Sequence, residues 1–507
     1  MLKQISKNIT SNFTGYFVSL VVGLLLSPFV VHSLGAVSFG FWTLIRSLTG
    51  YYGLLDLGIL AGVSQFVTRY LSKDDSAGVN RTFSTAFFLL SGVACILICL
   101  TIFLSITLSH WVSSLDQNAN DLRLALLMTG FAVALNFPLV VFKAIPYGLQ
   151  RLELLNALTI FNRILEAVLV VWALQSKWGI VGLAGANCLV GIIGGLIQVF
   201  LAFHLYPNLK ISHRYFSKDS LREIRGYGIH SFFITAADRI LLHTDYLIVG
   251  FILTAEAVTY YAIGASLVPY YLGLIQAVTW ALTPYAIERD AHGDKVAIKR
   301  LLLFGTRGTV ALAAFFAGGM IVLGHDFLML WMGPKYVSGE TFISSGTILS
   351  ILTVATFIRL TQSCGFQILC GMQKVQKLSW LALIESGINL TLSIVLTHIM
   401  GLIGVALGTL LSIFVIRGVL QPLFLIKTVG LSWGEYMTEI GMGSIPLLGT
   451  FFLVNWMVGD LFPVHSWIDF FVKGGVFLIP TCLMGIFSLA VSREGKVIYS
   501  AFMKRAL

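Results

Sequence analysis

The residues best placed to do chemistry stand in one otherwise apolar stretch, ITAADRILLHTDYLIVG (234–250), which holds Asp238, Arg239, His243 and Asp245 within eight positions. On a helix, Asp238 and Asp245, seven apart, share one face, and Arg239 and His243, four apart, share another. A charge inside a membrane span costs at least roughly 2.5–3.5 kcal/mol, so stripes this polar turn toward a wet cavity or toward partners on neighbouring helices. Arg239 would attract an anion, and the two carboxylates would moderate its grip or hold a coupling cation. His243 fits either a satisfied core histidine or a proton carrier.

Other apolar stretches carry charges of the same kind. Arg46 and Asp56 lie ten apart. A guanidinium at Arg46 suits a pyrophosphate or an acidic sugar, because its planar fork donates two parallel hydrogen bonds; a pair with an acid on a neighbouring helix also accounts for it. Asp56, among Gly53 and Gly58, fits a gate or a helix cap. Arg163 and Glu166, three apart, read as a local ion pair, with gating as the alternative. Glu385 has no basic neighbour on its own span and is a second candidate for carrying a proton. Arg307 and Arg359 are placed to snorkel toward headgroups; Arg417 and Lys473 receive no assignment. The tyrosine pairs Tyr51/Tyr52, Tyr260/Tyr261 and Tyr270/Tyr271 fit stacking on sugar rings or anchoring at a membrane interface.

The elements that position these residues follow from composition. Of 507 residues, 57% are hydrophobic and 11% charged, against roughly 25% charged in soluble domains. That excludes a soluble enzyme, a disordered chain and a nucleic-acid-binding domain. Fourteen apolar windows are predicted at 14–34, 38–66, 83–108, 122–146, 153–175, 180–204, 227–252, 257–285, 301–324, 342–366, 378–398, 402–426, 438–459 and 467–491. Helices are the expected spanning form, since each segment must pair its own backbone in lipid. With the N-terminus taken as cytoplasmic, 23 of the 33 Lys and Arg fall in inside segments. Only Arg123, Lys177 and Lys335 fall outside, and seven lie within spans. This predicts an even number of spans with both termini cytoplasmic, and it explains the net charge of +10 without nucleic acid. The first residues read as the lead-in to an uncleaved span.

No P-loop, His-Glu-x-x-His or Gly-x-Ser-x-Gly motif is present. The six cysteines show neither zinc nor disulfide spacing; Cys95 and Cys99 read as simple packing. No cofactor or metal is called for.

An internal repeat is legible. GLQR (148–151) recurs as GMQK (371–374), GIVGLAG (179–185) as GLIGVALG (401–408), and Gln198 as Gln421, at offsets of 223, 222 and 223. Two six-span lobes in parallel orientation are therefore expected, 1–205 and 227–426, with a binding site at their interface. Residues 206–226 are predicted to link them as an amphipathic cytoplasmic segment, and 427–507 to add two further spans and a tail. The fold class is all-α and polytopic, with about fourteen transmembrane helices.

SLGAVSFGFWTLIRSLTGYYGLLDLGI (33–59), TDYLIVGFILTAEAVTYYAIGASL (244–267), LMLWMGPKY (328–336) and GLIGVALGT (401–409) together resemble the Wzx-type O-antigen (polysaccharide) flippases of the multidrug/oligosaccharidyl-lipid/polysaccharide exporter superfamily. The resemblance implies a central cavity and alternating access. It also implies movement of an undecaprenyl-pyrophosphate-linked oligosaccharide from the cytoplasmic to the outer leaflet of a bacterial inner membrane, alongside polysaccharide-assembly proteins. On this reading Arg46, Asp238, Arg239, Asp245, Tyr260 and Tyr261 contact cargo, while Asp56, Arg163, Glu166, His243 and Glu385 serve coupling or gating. Without an ATPase motif, H+ or Na+ is the expected coupling ion. The alternatives are a multidrug exporter of the same superfamily, whose cavity should be acidic, and a membrane polymerase or ligase. The longest outer loop (324–341) offers the latter only His325 and Asp326.

Overall fold

The computed structural model describes residues 2–112, 119–280 and 282–490, and it contains no β-strand among them. The tail residues Arg493, Lys496, Lys504 and Arg505 lie outside the described residues. The chain divides into two compact units, 1–247 and 248–507.

The first unit begins with α1 (Leu2–Leu34), α2 (Ala36–Gly50), α3 (Ile59–Leu71), α4 (Ser76–Val112) and α5 (Ala119–Val140). It continues with α6 (Ala144–Gly148), α7 (Leu152–Gln175), α8 (Gly179–Leu205) and most of α9 (Lys218–Ile252). The second holds α10 (Ala255–Ala265), α11 (Val268–Thr279), α12 (Leu282–Ala291), α13 (Lys295–Met332), α14 (Ser345–Thr361) and α15 (Ser363–Gly371). After them come α16 (Val375–Met400), α17 (Leu402–Ile413), a π-turn (Phe414–Leu420), α18 (Gln421–Val429), α19 (Trp433–Val458) and α20 (Trp467–Ala490).

Helix occupies all fourteen predicted windows, and among the described residues twelve helical segments are long and apolar enough to cross a membrane. The protein is an all-α, multi-pass membrane protein. Its outward surface fits that solvent: Leu25, Phe103, Phe200, Phe251, Ile399 and Trp456 are all exposed, a pattern of large apolar side chains that water would not tolerate over so wide an area. Two windows fail the apolar test. The window 38–66 is broken between α2 and α3, and α9 carries Asp238, Arg239 and Asp245 in its membrane-length core.

Two apolar clusters hold the first unit. One joins Val30, Trp42, Ile45, Leu126, Val170 and Leu183 from α1, α2, α5, α7 and α8. The other joins Val63, Phe83, Leu90, Phe142, Ile145 and Ile224 from α3 to α6 and the start of α9. Residues 206–217, within the predicted linker, form no α-helix and run as a strap with a turn at 207–208 and a 3-10 turn at His213–Tyr215. The physical reason is local. The strap's backbone finds partners on α4: Lys210 N–H donates to Asn80 Oδ1 (2.9 Å) and Ser217 N–H to Thr85 Oγ1 (3.0 Å). Asn80 Nδ2 in turn donates to the Asn208 carbonyl (3.2 Å), so the strap needs no helix of its own to satisfy its amides.

In the second unit, helices outside the repeat are tied to α13 by two ion pairs. Arg307 Nε stands 2.5 Å from Glu439 Oε2 on α19, and Lys473 Nζ of α20 donates to Asp326 Oδ2 at 2.9 Å. Arg307 is thus buried and paired rather than snorkelling. Arg307 and Asp326 are separated by about 28 Å of helix at 1.5 Å per residue, close to the roughly 30 Å hydrocarbon thickness.

The repeat reappears in the backbone. Gln150 and Gln373, 223 apart, both adopt left-handed φ, at 57° and 59°. Around them the turn is bonded identically, with Arg151 N–H to Pro146 O (2.8 Å) and Lys374 N–H to Leu369 O (2.9 Å). Cys95 and Cys99, read as packing, are exposed on α4, and all six cysteines are free.

Candidate functional site

The site grows from the break in the second window. After Gly50, α2 tightens into a 3-10 turn over Tyr51–Asp56, and Leu57 and Gly58 then adopt left-handed φ of 50° and 76°. Two consecutive left-handed residues cannot continue a right-handed helix. The chain restarts as α3, and Asp56 Oδ1 accepts the Leu60 N–H at 3.0 Å. Asp56 thereby satisfies one N–H in the first turn of α3.

The broken segment faces α9, and the contacts define an antiparallel register. Gly50 lies against His243: a Cβ built on Gly50 would stand 2.5 Å from His243 Cε1 and 2.6 Å from Nε2. Three residues further along, a Cβ on Gly53 would meet Arg239 Cζ and Nη2 at 3.5 Å. Between them, the Tyr51 hydroxyl hydrogen-bonds the Thr244 hydroxyl, and the Tyr51 ring sits 5.8 Å from the His243 ring. From Gly50 against His243 to Gly53 against Arg239 the number rises on one segment as it falls on the other, while the long Tyr51 side chain reaches back to Thr244. Gly50 is what allows this approach, since any side chain there would occupy the space of the imidazole.

Arg46 lies one turn before Gly50 on the same stripe; it is exposed and within electrostatic reach of His243 and Tyr246. Arg239 Nη1 approaches His243 Nε2 at 3.5 Å. Asp245 is buried and acts electrostatically on Tyr51 and Tyr246. Asp238 is half-buried. Arg46, Arg239, His243 and Asp245 thus belong to one polar cluster within the first unit. The two guanidiniums supply forked donors for an oxyanion, and the Tyr51 and Thr244 hydroxyls line the space between. Gly50 and Thr244 escaped the sequence reading. The run TGYYGLLDLG (49–58) held the signal, three glycines interrupting an apolar window.

The remaining candidates lie elsewhere. Tyr260 and Tyr261 are fully buried in the second unit. Tyr260 packs its ring on Tyr336 (5.2 Å) and Phe342 (5.1 Å) and donates its hydroxyl to the Lys335 carbonyl (3.3 Å). The ring face expected for sugar stacking is therefore taken up by core packing. Tyr271 is also buried, bonded to the Ala313 carbonyl (2.8 Å). Glu385, expected to lack a basic partner, has one from the next span: its Oε2 accepts from Arg417 Nε at 2.6 Å. Arg417 Nη1 donates to Gln421 Oε1 at 2.6 Å, and the pair is almost wholly buried, at 0% and 7% exposure. The lone-carboxylate argument for Glu385 is thereby corrected. Arg163 Nη1 and Glu166 Oε2 are paired at 2.8 Å on α7. Among the described residues, no group of three or more His, Cys, Asp or Glu could hold a metal ion.

A many-helix membrane fold in which a discontinuous span packs against a charged one is the architecture of carriers rather than of soluble enzymes. Solved structures share the fold. A lipid II flippase MurJ in an inward closed conformation aligns with a TM-score of 0.71 at 14% identity, covering 94% of this chain and 97% of that one. An inward-facing multidrug resistance MATE family transporter of the MOP superfamily aligns at 0.63 and 15% identity, covering 82% and 94%. By sequence, the chain is 22% identical over 522 residues to the "Uncharacterized membrane protein EpsK" of Bacillus subtilis (strain 168), with 98% of each covered. It is 21% identical over 429 residues to a Shigella flexneri protein described as "Putative O-antigen transporter", covering 83% of this chain and 98% of that one. The polysaccharide biosynthesis protein family model matches residues 5–288, more than half the chain, and the protein belongs to that family.

Proposed function

We propose that this protein moves a lipid-linked oligosaccharide or polysaccharide precursor, carried on undecaprenyl pyrophosphate, from the cytoplasmic to the outer leaflet by alternating access. One observation carries the reading: the two windows least able to face lipid pack on each other, and they bring Arg46 and Arg239 to one polar cluster. Two guanidiniums in one cluster recognise an anionic headgroup. The cluster's mixed charge, with Asp238 and Asp245 beside them, keeps the grip weak enough for release. The family, and the transporter and flippase names of the relatives, support the same class. The placement that goes with this function is a bacterial inner membrane with both termini cytoplasmic, beside polysaccharide-assembly proteins. The energy source is an H+ or Na+ gradient, with His243 as the coupling candidate nearest the cluster.

The test is reconstitution of the purified protein in liposomes with a labelled lipid-linked oligosaccharide, with and without an imposed ion gradient. Outward accumulation that collapses with the gradient is the expected result. Failure to move that cargo, together with export of small organic cations, would instead establish a drug exporter.

A further inference from the structure

Helix α7 exposes two opposite faces. Phe161, Ile164, Val168 and Trp172 are exposed at i, i+3, i+7 and i+11, an apolar stripe of the kind that meets lipid. Thr159, Arg163 and Glu166 recur at i, i+4 and i+7, about half a turn round the helix. Thr159 and Arg163 are also exposed, and Glu166 is partly so. Neighbours flank this second stripe on either side. Asn162 lies against Gly194 of α8, where a Cβ would fall 2.6 Å from its Nδ2, and Asn156 and Ile160 lie against Gly15 of α1, at 3.9 and 4.0 Å. The polar stripe therefore opens between α1 and α8, away from the lipid-facing side.

It opens over only part of the helix. Val170, Ala173 and Leu174 continue the same face and are buried, Val170 and Leu174 as members of the apolar cluster that also holds α1 and α8 side chains. Arg163 stands at the open end of this face with its side chain 50% exposed. A guanidinium near mid-span that is half exposed on a face turned from lipid is exposed to water. Glu166 engages one N–H of Arg163 at 2.8 Å, and a guanidinium has five such donors in a fixed plane. The carboxylate fixes the head; the free edge of the fork is directed at whatever fills the opening.

We infer that Arg163 is a specificity-determining residue that binds an oxyanion of the cargo, with Glu166 as its positioning residue. The inference rests on the transport reading above and adds to it a second recognition point on α7, where the sequence alone suggested a local pair or a gate. The ligand chemistry is a phosphate or carboxylate oxygen pair, whether from the pyrophosphate or from an acidic sugar.

Two arms test it. In a cysteine-free background, single cysteines at Thr159, Phe161, Arg163 and Val168 are treated with a membrane-impermeant anionic thiol reagent in permeabilised vesicles. Thr159→Cys and Arg163→Cys should react, and Phe161→Cys and Val168→Cys should not; an unreactive Arg163→Cys beside a reactive Thr159→Cys overturns the inference without touching the transport reading. In liposomes, Arg163→Gln should lower transport roughly 10- to 100-fold at subsaturating cargo, the loss expected for a charge-assisted hydrogen bond. Arg163→Lys should retain part of the activity, since it keeps the charge but not the fork. Glu166→Gln should raise the half-saturating cargo concentration while leaving the maximal rate. A defect on both neutral and acidic cargos assigns the pyrophosphate as ligand, and a defect on the acidic cargo alone assigns the sugar. Wild-type activity of Arg163→Gln on both cargos overturns the inference; inactive wild-type protein would count against the transport reading itself, while the labelling arm still tests the face.

Discussion

The Glu385–Arg417 pair makes a quantitative prediction. Both side chains are dry, 2.6 Å apart, and Arg417 spends a second donor on Gln421. Removing one member of such a pair strands the other charge in a low-dielectric site, at a cost of about 3–5 kcal/mol, whereas removing both is close to neutral. The second unit comprises residues 248–507, and a domain of this size loses about 2–4 °C of Tm per kcal/mol. Arg417→Met should therefore lower the Tm of the purified protein by roughly 6–20 °C. Glu385→Gln should sit at the small end of that range, because its amide oxygen still accepts from Arg417. The double variant Glu385→Gln/Arg417→Met should recover most of the loss. Tryptophan-fluorescence melting in detergent measures all four proteins, and the double-mutant cycle isolates the coupling. Single variants melting within about 2 °C of wild type, or a double variant losing the sum of the singles, would refute a structural ion pair. The recovered double variant also separates the roles of Glu385: it keeps transport if the carboxylate is structural and loses it if the carboxylate carries the coupling proton.

Three further outcomes follow from the geometry. Gly50→Ala places a methyl 2.5 Å from the His243 ring, against an ordinary carbon contact of about 3.5–4.0 Å; it should cost about 1–3 kcal/mol and reduce transport, and His243→Ala in the same chain should restore the Tm. Leu57→Gly relieves a non-glycine residue held at φ 50°, a strain of about 1–2 kcal/mol, so its Tm should hold or rise; a clear drop would mean that the Leu57 side chain contributes packing instead. Lys473→Met leaves Asp326 without its 2.9 Å partner and should loosen α20 first, read as faster amide exchange in α20 than in α7.

The fold was legible because lipid imposes one rule along the whole chain: an apolar window long enough to cross must be a helix. That rule places spans but not their kinks. It found the window 38–66 and missed that Leu57 and Gly58 break it, since three glycines in an apolar run are also ordinary packing residues. The site was legible to the extent that charge in a span is informative by itself. Arg46 and Arg239 were singled out on that ground and lie in one cluster with His243. What failed was partner assignment across spans. Glu385 looked unpaired because its cation is 32 residues away on the next span, and Arg307 looked free because Glu439 belongs to a helix outside the repeat. Tyr260 failed for another reason: a Tyr pair has the same sequence signature whether its rings face a cavity or a core, and here Tyr336 and Phe342 pack on the Tyr260 ring, while Tyr261 is buried beside it.

The two halves of the repeat diverge where the burial of charge is at stake. Position for position at an offset of 223, Asn162 answers to Glu385, Gly194 to Arg417 and Gln198 to Gln421. The contact is kept in both halves: Asn162 lies against Gly194 in the first unit, and Glu385 is bonded to Arg417 in the second. In the first, a neutral amide fills the room that a glycine leaves. In the second, a carboxylate meets a guanidinium on a π-turn, Phe414–Leu420. The chain spends one residue more from Gly401 to Gln421 than from Gly179 to Gln198, and the extra residue enters before Gly408, which already answers to Gly185 at 223. The insertion accounts for the offset slipping between 222 and 223. The two units thus share a helix-pair contact but not its electrostatics: the first keeps its interior neutral at this level and leaves Arg163 and Glu166 on an exposed face, whereas the second puts its charges in the dry core. A charge in contact with water can bind and release cargo; a charge locked at 2.6 Å in a dry core can only hold helices together.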